Sequence, residues 1–576
     1  MTPSPGPDRI RGRRLFQAQK AAAVAPTHSI PPSATFDCAV VAKAALGASV
    51  NVTQSTRVEA NTTKPTAPFS GAPVGEVLPA HCLVKGQIDA RTGKAFATDP
   101  VTRAVSVVDA PYAIGLEPRL PEDWNGRFSF QGGGGLDGVL TPGFGILDPQ
   151  HGAATNALSR GFAVVFTDGG HRGASAFEGN FVADQQGRPD YSYKAIDKVT
   201  LAAKEALQRY YGKSPDSSYF VGCSSGGRQA MMMSQRLPSY FDGIVAGDSG
   251  FKLMSAVGNT LADVKTLASI IPAGKPTPFG PDLGKSYSPA DRALIGSAIV
   301  AKFDVKARDN VADGIVSDPQ ACDFNPQTDI PTCSGANNGS CLAAGQKTAL
   351  AAMTAGSKSS SGTARYSDYF NDAGVGSPAW SVWKLNGIPM PLSPTMTASL
   401  GLNQLADMDG PGRVFSTPAN PVFDPFGFDP DGDPAKFREF GRLADATSVD
   451  LSSFKASGGK LMIYNGNSDP LFSSKDAVRY YRALAAANGG NAADPARLFL
   501  VPGMGHCSGG PATDGFDPLA AMQAWVEQGV APDTMLAKAG PFTPWPGRTR
   551  PLCAYPKVTA YKGSGGIETA ASFSCQ

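Results

Sequence analysis

The sequence predicts an α/β fold, a doubly wound, largely parallel sheet interrupted by a large inserted lid domain, and three observations carry that prediction. Short apolar runs alternate with helix-patterned stretches from Arg127 to Gly247 and again from Lys460 to Val501. One of those runs, Tyr219–Cys223, passes straight into Gly-x-Ser-x-Gly at Gly222–Gly226 and then into good helix formers up to Arg236. Between the two alternating regions, residues 251–445 lose the alternation and fill with Pro, Gly, Ser and aromatic residues.

At 576 residues the chain is too long for one ordinary hydrophobic core, which is why an insertion is expected. The expected divisions are an irregular amino-terminal segment 1–35, a first part of the main domain 36–250, the lid 251–445, and the second part 446–576. Hydrophobic residues make up 42% and charged residues 17%, with a formal net charge of +2. That balance gives no electrostatic case for a nucleic-acid or membrane partner, and a small-molecule ligand and a monomeric state are expected. The 66 glycines and 48 prolines are scattered rather than repeated, which predicts long ordered loops. No apolar run is long enough to span a bilayer.

The first 35 residues are rich in Pro, Ala and Arg without an apolar core, so no complete signal peptide is read there. The nine cysteines point the other way: none forms a Cys-x-x-Cys pair, and several lie in loop-like sequence near the chain ends. Structural disulfides in an oxidising compartment fit that pattern, and the expected location is secreted or periplasmic. The odd count leaves at least one thiol unpaired.

In chain order, strand-like segments are expected at Ala104–Asp109, Tyr112–Leu116 and Arg127–Gln131. The last enters Gly132–Gly135, where backbone N–H groups can approach a ligand oxygen closely. The near-continuous apolar run Gly161–Thr167 reads as a central parallel strand. A helix at about 193–211 leads to the Tyr219 strand, whose turn would expose Ser224 as a nucleophile, with Gly222 and Gly226 leaving room around it. The helix after it points its positive end at the place where negative charge develops on attack. Phe241–Gly247 reads as the next strand, and Lys460–Tyr464, a helix at 474–487 and Arg497–Val501 complete the sheet. The lid carries Tyr366, Tyr369, Phe370, Trp380, Trp383, Phe415 and Phe423, rings suited to selecting a planar ligand.

A serine nucleophile needs a base and an acid. Of five histidines, His28 lies in the irregular amino-terminal segment, and His81 and His151 read as loop residues ahead of the turn. His171 comes too early in the chain and reads as structural or pocket-lining. His506 follows the last strand, where the serine, acid, histidine order requires the base. Asp469, ending the Lys460 strand, is the favoured acid; Asp248, in Gly247–Gly250, is the alternative. Cys223 precedes Ser224 and Cys507 follows His506, so a Ser–His hydrogen bond would bring the two sulfurs close enough to test for a bridge.

These motifs resemble the tannase and feruloyl esterase family of α/β-hydrolases over about Cys38 to Cys575: Gly-Cys-Ser-Ser-Gly-Gly-Arg at Gly222–Arg228, Ser468-Asp469, His506–Pro511 and Arg550–Cys553. The resemblance implies a Ser224, Asp469, His506 triad and an oxyanion hole from the N–H groups of Gly135 and Ser225. It implies that Trp383 and Phe472 hold the substrate's aromatic ring, and a bridge at Cys223–Cys507. It further implies disulfides Cys38–Cys82, Cys333–Cys341 and Cys553–Cys575, with Cys322 left free. A calcium loop of the family matches Asp309, Val311, Asp313 and Ile315, but Val305-Lys306 replaces its leading Cys-Asp. A lysine ammonium opposes calcium, which needs six to eight oxygens. The acidic cluster 424–433 lacks the glutamate and spacing of an EF-hand and reads as solvated loop.

The expectation is therefore a serine carboxylesterase for aromatic-acid esters of feruloyl, galloyl or benzoyl type, with no cofactor for catalysis. Hydrolysis of terephthalate monoesters is the alternative within that class, and an acyltransferase sharing the acyl-enzyme is the alternative outside it. Terephthalate would need a cation for its free carboxylate. Arg413 is the one arginine between Trp383 and Asp431; if it faces solvent instead, neutral aromatic esters are preferred.

Overall fold

Nine strands make one sheet in the order β1-β2-β3-β5-β4-β6-β7-β10-β11. They are β1 (Val50–Val58), β2 (His81–Thr98), β3 (Val105–Pro121), β4 (Arg127–Gln131), β5 (Ala163–Thr167), β6 (Ser217–Cys223), β7 (Gly243–Gly247), β10 (Lys460–Gly466) and β11 (Ala496–Val501). The pair β8 (Pro389–Ser393) and β9 (Met396–Ser399) forms a separate hairpin. The computed structural model describes residues 37–43, 50–61, 77–99, 102, 104–145, 156–174, 176–271, 281–304, 311–386, 389–393, 396–399, 414–420 and 423–576. Cys38–Gln576 is one compact unit; the expected amino-terminal segment 1–35, His28, His151, Asp309 and Arg413 lie outside the described residues.

From β5 to β11 all pairings are parallel, while β1, β2, β3 and β5 pair antiparallel. The parallel strands are covered on both faces, which is why they read as unbroken apolar runs. Alternate residues serve alternate faces: Phe128, Phe130, Phe220, Ile244, Ile463 and Leu498 pack on one core, and Val164, Tyr219, Val221, Val245, Met462 and Phe499 on the other. On the first face lie α1 (Ala195–Tyr211), α2 (Ser225–Arg236) and α7 (Ser474–Ala487); on the second lies α8 (Pro518–Gln528). Helix α1 buries Ala195, Ile196, Val199, Ala203, Ala206 and Leu207, one stripe at helical spacing, and stops at Gly212, whose φ of 73° no β-carbon residue adopts cheaply.

Between β7 and β10 the chain contributes no described strand to the main sheet. Instead α3 (Leu253–Ala268), α4 (Pro289–Phe303) and α5 (Ala344–Thr354) gather with Trp380 and Leu385 into their own core. A second cluster, Phe415, Phe423, Phe428, Phe437 and Phe440, joins α6 (Asp433–Ala444) to Tyr112, Phe181 and Tyr191 of the main domain. The inserted segment thus meets the main domain through rings. Among the described residues no helix is long and apolar enough to cross a membrane.

The sheet also corrects the reading of His81. It opens β2 rather than sitting in a loop, fully buried, with Nδ1 bonded to Pro79 O at 2.8 Å and Nε2 2.9 Å from Arg119 Nη1. Arg119 is in turn bonded to Glu117. Burial holds the imidazole below its usual pKa, and its neutral Nε2 accepts from the guanidinium. The role is structural.

Candidate active site

Ser224 stands at the end of β6 with φ 62° and ψ −123°, a conformation costing a side-chain-bearing residue about 1–3 kcal/mol. Neighbouring glycines make the turn possible. A β-carbon at Gly222 would stand 2.5 Å from Gly226 C, and one at Gly226 would stand 2.7 Å from Gly133 O. Ser224 N–H donates to Gly247 O at 3.0 Å and its carbonyl accepts from Arg228 N–H at 3.0 Å, so the turn is tied to β7 and to the first turn of α2.

His506 follows β11 in a tight turn, 1% exposed. Its Nδ1 lies 2.8 Å from Asp469 Oδ2. The other oxygen of Asp469 accepts from the N–H groups of Leu471 (2.8 Å) and Phe472 (3.1 Å). With Nδ1–H given to the carboxylate, Nε2 carries the basic lone pair, and among the described residues it has no hydrogen-bond partner. The Ser–His hydrogen bond expected from sequence is therefore not made in this state. What joins the two loops is the Cys223–Cys507 disulfide, with Cα atoms 6.0 Å apart.

Asp248 is also at this site but does a different thing. It is fully buried behind Asp469, with Oδ1 accepting from Gly466 N–H (2.8 Å) and Asn465 Nδ2 (3.1 Å). Burial, and then the Asp469 charge, push its carboxyl well above the usual range, and the two carboxyl groups share a hydrogen bond. Two adjacent carboxyls do not readily both ionise out of water, and Asp248 is the one kept protonated. His506 pairs with Asp469, not with Asp248.

Two rings wall the histidine. Trp383 meets it edge-on with centroids 4.9 Å apart, and Phe472 at 5.4 Å. Trp383 is placed by its neighbour Lys384, whose buried ammonium bonds Asp263 at 2.6 Å and Pro470 O at 2.8 Å. Burial raises the Asp263 carboxyl above its usual value, opposed in part by the Lys384 ammonium.

The glycine loop after β4 is shaped by specific ties. Gly132 N–H donates to Val221 O (2.8 Å) and Gly133 N–H to Gln229 Oε1 (2.9 Å). Gln229 donates in turn to Asp137 at 2.8 Å. Burial pushes Asp137 up to about 7, opposed by the Arg228 charge. Among the described residues Gly135 N–H has no acceptor, and Gly135 sits at φ 60° beside Ala176 O, where a β-carbon would stand 2.3 Å away. Ser225 opens α2, so its N–H has no intrahelical partner. His171 is buried and stacked on Phe181 at 3.9 Å; burial pushes it down to about 3, so it stays neutral and structural.

Of the Asp-rich loop, residues 311–315 are described, and there the one carboxylate is already engaged. Asp313 is paired with buried Arg550, its Oδ1 accepts from Ile315 N–H at 3.0 Å, and Arg548 donates to its carbonyl. A guanidinium already neutralises this carboxylate. The sequence also places the Lys306 ammonium beside these donors, a charge that opposes a calcium ion.

Sequence reasoning missed Gln229, Asp137, Lys384 and Asp263. Gln229 follows the Gly222–Arg228 motif directly and could have been found there; the lid pair had no local signal. The four disulfides are Cys38–Cys82, Cys223–Cys507, Cys333–Cys341 and Cys553–Cys575, and Cys322 is free.

Comparison with known proteins follows the same lines. The family described as tannase and feruloyl esterase matches residues 100–576. The mono(2-hydroxyethyl) terephthalate hydrolase of Piscinibacter sakaiensis is 40% identical over 542 residues, covering 86% of this chain and 85% of that one. A probable feruloyl esterase B-2 of Aspergillus terreus is 28% identical over 509 residues, covering 84% and 87%. The crystal structure of feruloyl esterase B from Aspergillus oryzae superposes with a TM-score of 0.69 at 23% identity, covering 92% and 97%, a likeness of fold. The chain belongs to the tannase and feruloyl esterase family and is a carboxylic ester hydrolase.

Proposed function

We propose that this protein hydrolyses esters of aromatic carboxylic acids through a serine acyl-enzyme. The observation that carries the reading is the polarised histidine: Nδ1 fixed on Asp469, Nε2 without a described partner, and the loop bridged covalently to the one bearing Ser224. Ser224 Oγ attacks the acyl carbon as His506 Nε2 takes its proton, and Asp469 steadies the imidazolium. The N–H groups of Gly135 and Ser225 hold the oxyanion, and the positive end of α2 favours that charge. His506 returns the proton to the leaving alcohol, and water activated by the same nitrogen releases the acid.

Trp383 and Phe472 supply the faces and edges against which a planar acyl group packs. Feruloyl, galloyl and benzoyl esters are the first substrate class. Terephthalate monoesters are the second, favoured by the 40% identical relative whose name specifies that substrate. The pairing of Arg550 with the Asp313 carboxylate favours a loop that holds its shape without a calcium ion. Four disulfides support a periplasmic or extracellular location. The test is a panel of methyl ferulate, methyl gallate, methyl benzoate and mono(2-hydroxyethyl) terephthalate, with short aliphatic esters as controls, on wild type and Ser224→Ala. Turnover of the aromatic esters should fall by about 10⁶ in Ser224→Ala. Retained activity in that variant, or a preference for aliphatic esters in wild type, would overturn the reading.

A further inference from the structure

The loop that carries Asp469 is held to the sheet by Asn467 N–H on Val501 O (3.0 Å) and Asn465 Nδ2 on Phe472 O (3.2 Å), and it is braced a second time from the inserted segment. Ser468 Oγ donates to Asp372 Oδ2 at 2.7 Å, Lys384 donates to Pro470 O at 2.8 Å, and Tyr369 Oη donates to Leu471 O at 3.1 Å. Ser473 Oγ donates to Asp368 O at 2.5 Å, and Ser473 N–H to Tyr366 Oη at 3.2 Å. One of these groups reaches further. The same oxygen of Asp372 accepts from Gly503 N–H at 2.7 Å, in the turn that leads to His506. Asp372 therefore ties the acid loop to the base loop in parallel with the Asp469–His506 hydrogen bond and with the backbone bond from Ser468 N–H to Met504 O at 3.0 Å.

This arrangement has a cost. Asp372 is 0% exposed, and among the described residues its Oδ1 has no partner. Burial pushes its carboxyl up to about 6. Burying a carboxyl with so few donors costs stability, which the two bonds it accepts offset only in part. The backbone around it has been fitted to the contact. At Gly374 a β-carbon would stand 2.3 Å from Gly503 O and 2.6 Å from Ser468 Oγ. The segment then runs through the Ser377 cap into the turn bearing Trp380 and Trp383, so the triad's brace and the substrate wall are continuous chain.

We propose that Asp372 is a positioning residue for ester hydrolysis, holding the Asp469 and His506 loops in register from the inserted segment. This rests on the serine-hydrolase reading above. The experiment compares kcat and KM of wild type, Asp372→Ala, Asp372→Asn and Ser468→Ala on whichever ester of the panel wild type turns over fastest. Ser224→Ala serves as the blank, and near-UV circular dichroism reports the fold. In Asp372→Ala, kcat should fall about 10²-fold with KM little changed, as expected for misalignment of reacting groups. Asp372→Asn should recover most of that loss, because its amide oxygen can accept both hydrogens while its NH₂ takes the unpartnered position. Ser468→Ala removes one of the two bonds and should cost about fivefold in kcat. It keeps the proposal testable if Asp372→Ala does not fold. A folded Asp372→Ala with wild-type kcat, a Ser468→Ala with wild-type kcat, or an Asp372→Asn as impaired as the alanine variant would overturn the proposal. Activity surviving in Ser224→Ala would instead overturn the hydrolytic reading itself.

Discussion

Replacing Asp469 with asparagine should disable the protein through a proton on the wrong nitrogen rather than through lost packing. In the native site Oδ1 accepts two backbone hydrogens, from Leu471 and Phe472, and Oδ2 faces His506 Nδ1. An asparagine must put its carbonyl oxygen where those two N–H groups point, since turning it round would leave both donors facing an NH₂. Its NH₂ then faces Nδ1 and donates to it. The imidazole proton moves to Nε2, and the lone pair that should take the Ser224 proton is gone. Loss of this kind costs about 10⁴ in kcat, equivalent to about 5.5 kcal/mol of barrier at 1.36 kcal/mol per decade. Asp248→Asn is the internal control. Asp248 is already neutral, and an amide there still accepts from Gly466 N–H and can donate to Asp469, so kcat should fall less than about tenfold. Initial rates of methyl ferulate hydrolysis for both variants, each with its melting temperature, decide the matter. An Asp469→Asn enzyme within tenfold of wild type, or an Asp248→Asn enzyme equally inactive, would refute the assignment of charge and proton in this pair.

Reducing the bridge, or replacing Cys223 and Cys507 with serine, removes a link across 284 residues. The chain-entropy account puts its stabilisation at up to about 5 kcal/mol, which denaturant unfolding of the two forms would measure. Asp137, raised to about 7, binds its proton more tightly folded than unfolded. The folded state therefore holds the extra proton between about pH 4 and pH 7, and stability falls as pH rises through that window. Asp137→Asn keeps the acceptor for Gln229 without the charge, so its melting temperature should exceed wild type at pH 8 and match it at pH 4. Prolonged treatment with a calcium chelator should leave the melting temperature unchanged; a drop of several degrees would show that the Asp313 loop holds an ion after all.

The elements legible in the sequence were those whose signal is local. The helix 474–487 has the bounds expected of it, and the apolar run ending at Thr167 is the buried strand β5. The turn at Gly222–Gly226 was readable because glycine and serine spacing is itself the geometry. The edge of the sheet was not readable. Val50–Val58 alternates partly exposed polar residues, and His81–Thr98 is broken by Gly, Asp, Arg and Lys, so neither resembles the continuous runs of the parallel strands. The Tyr112–Leu116 segment and the one before it proved to be a single long strand, Val105–Pro121. At the site, chain order picked out Asp469 and His506, since that order is written along the sequence. Asp372, Lys384 and Asp263 were invisible because each finds its partner across a gap of many residues, and nothing beside them in the sequence announces it.

The Cys223–Cys507 bond closes a covalent ring, and the whole inserted segment 251–445 lies on its circumference. A single cut anywhere in that segment leaves two polypeptides that still travel as one molecule until reductant is added. The nucleophile and the base stay tethered on either side of the break. A nicked enzyme would therefore migrate as one band without reductant and as two with it.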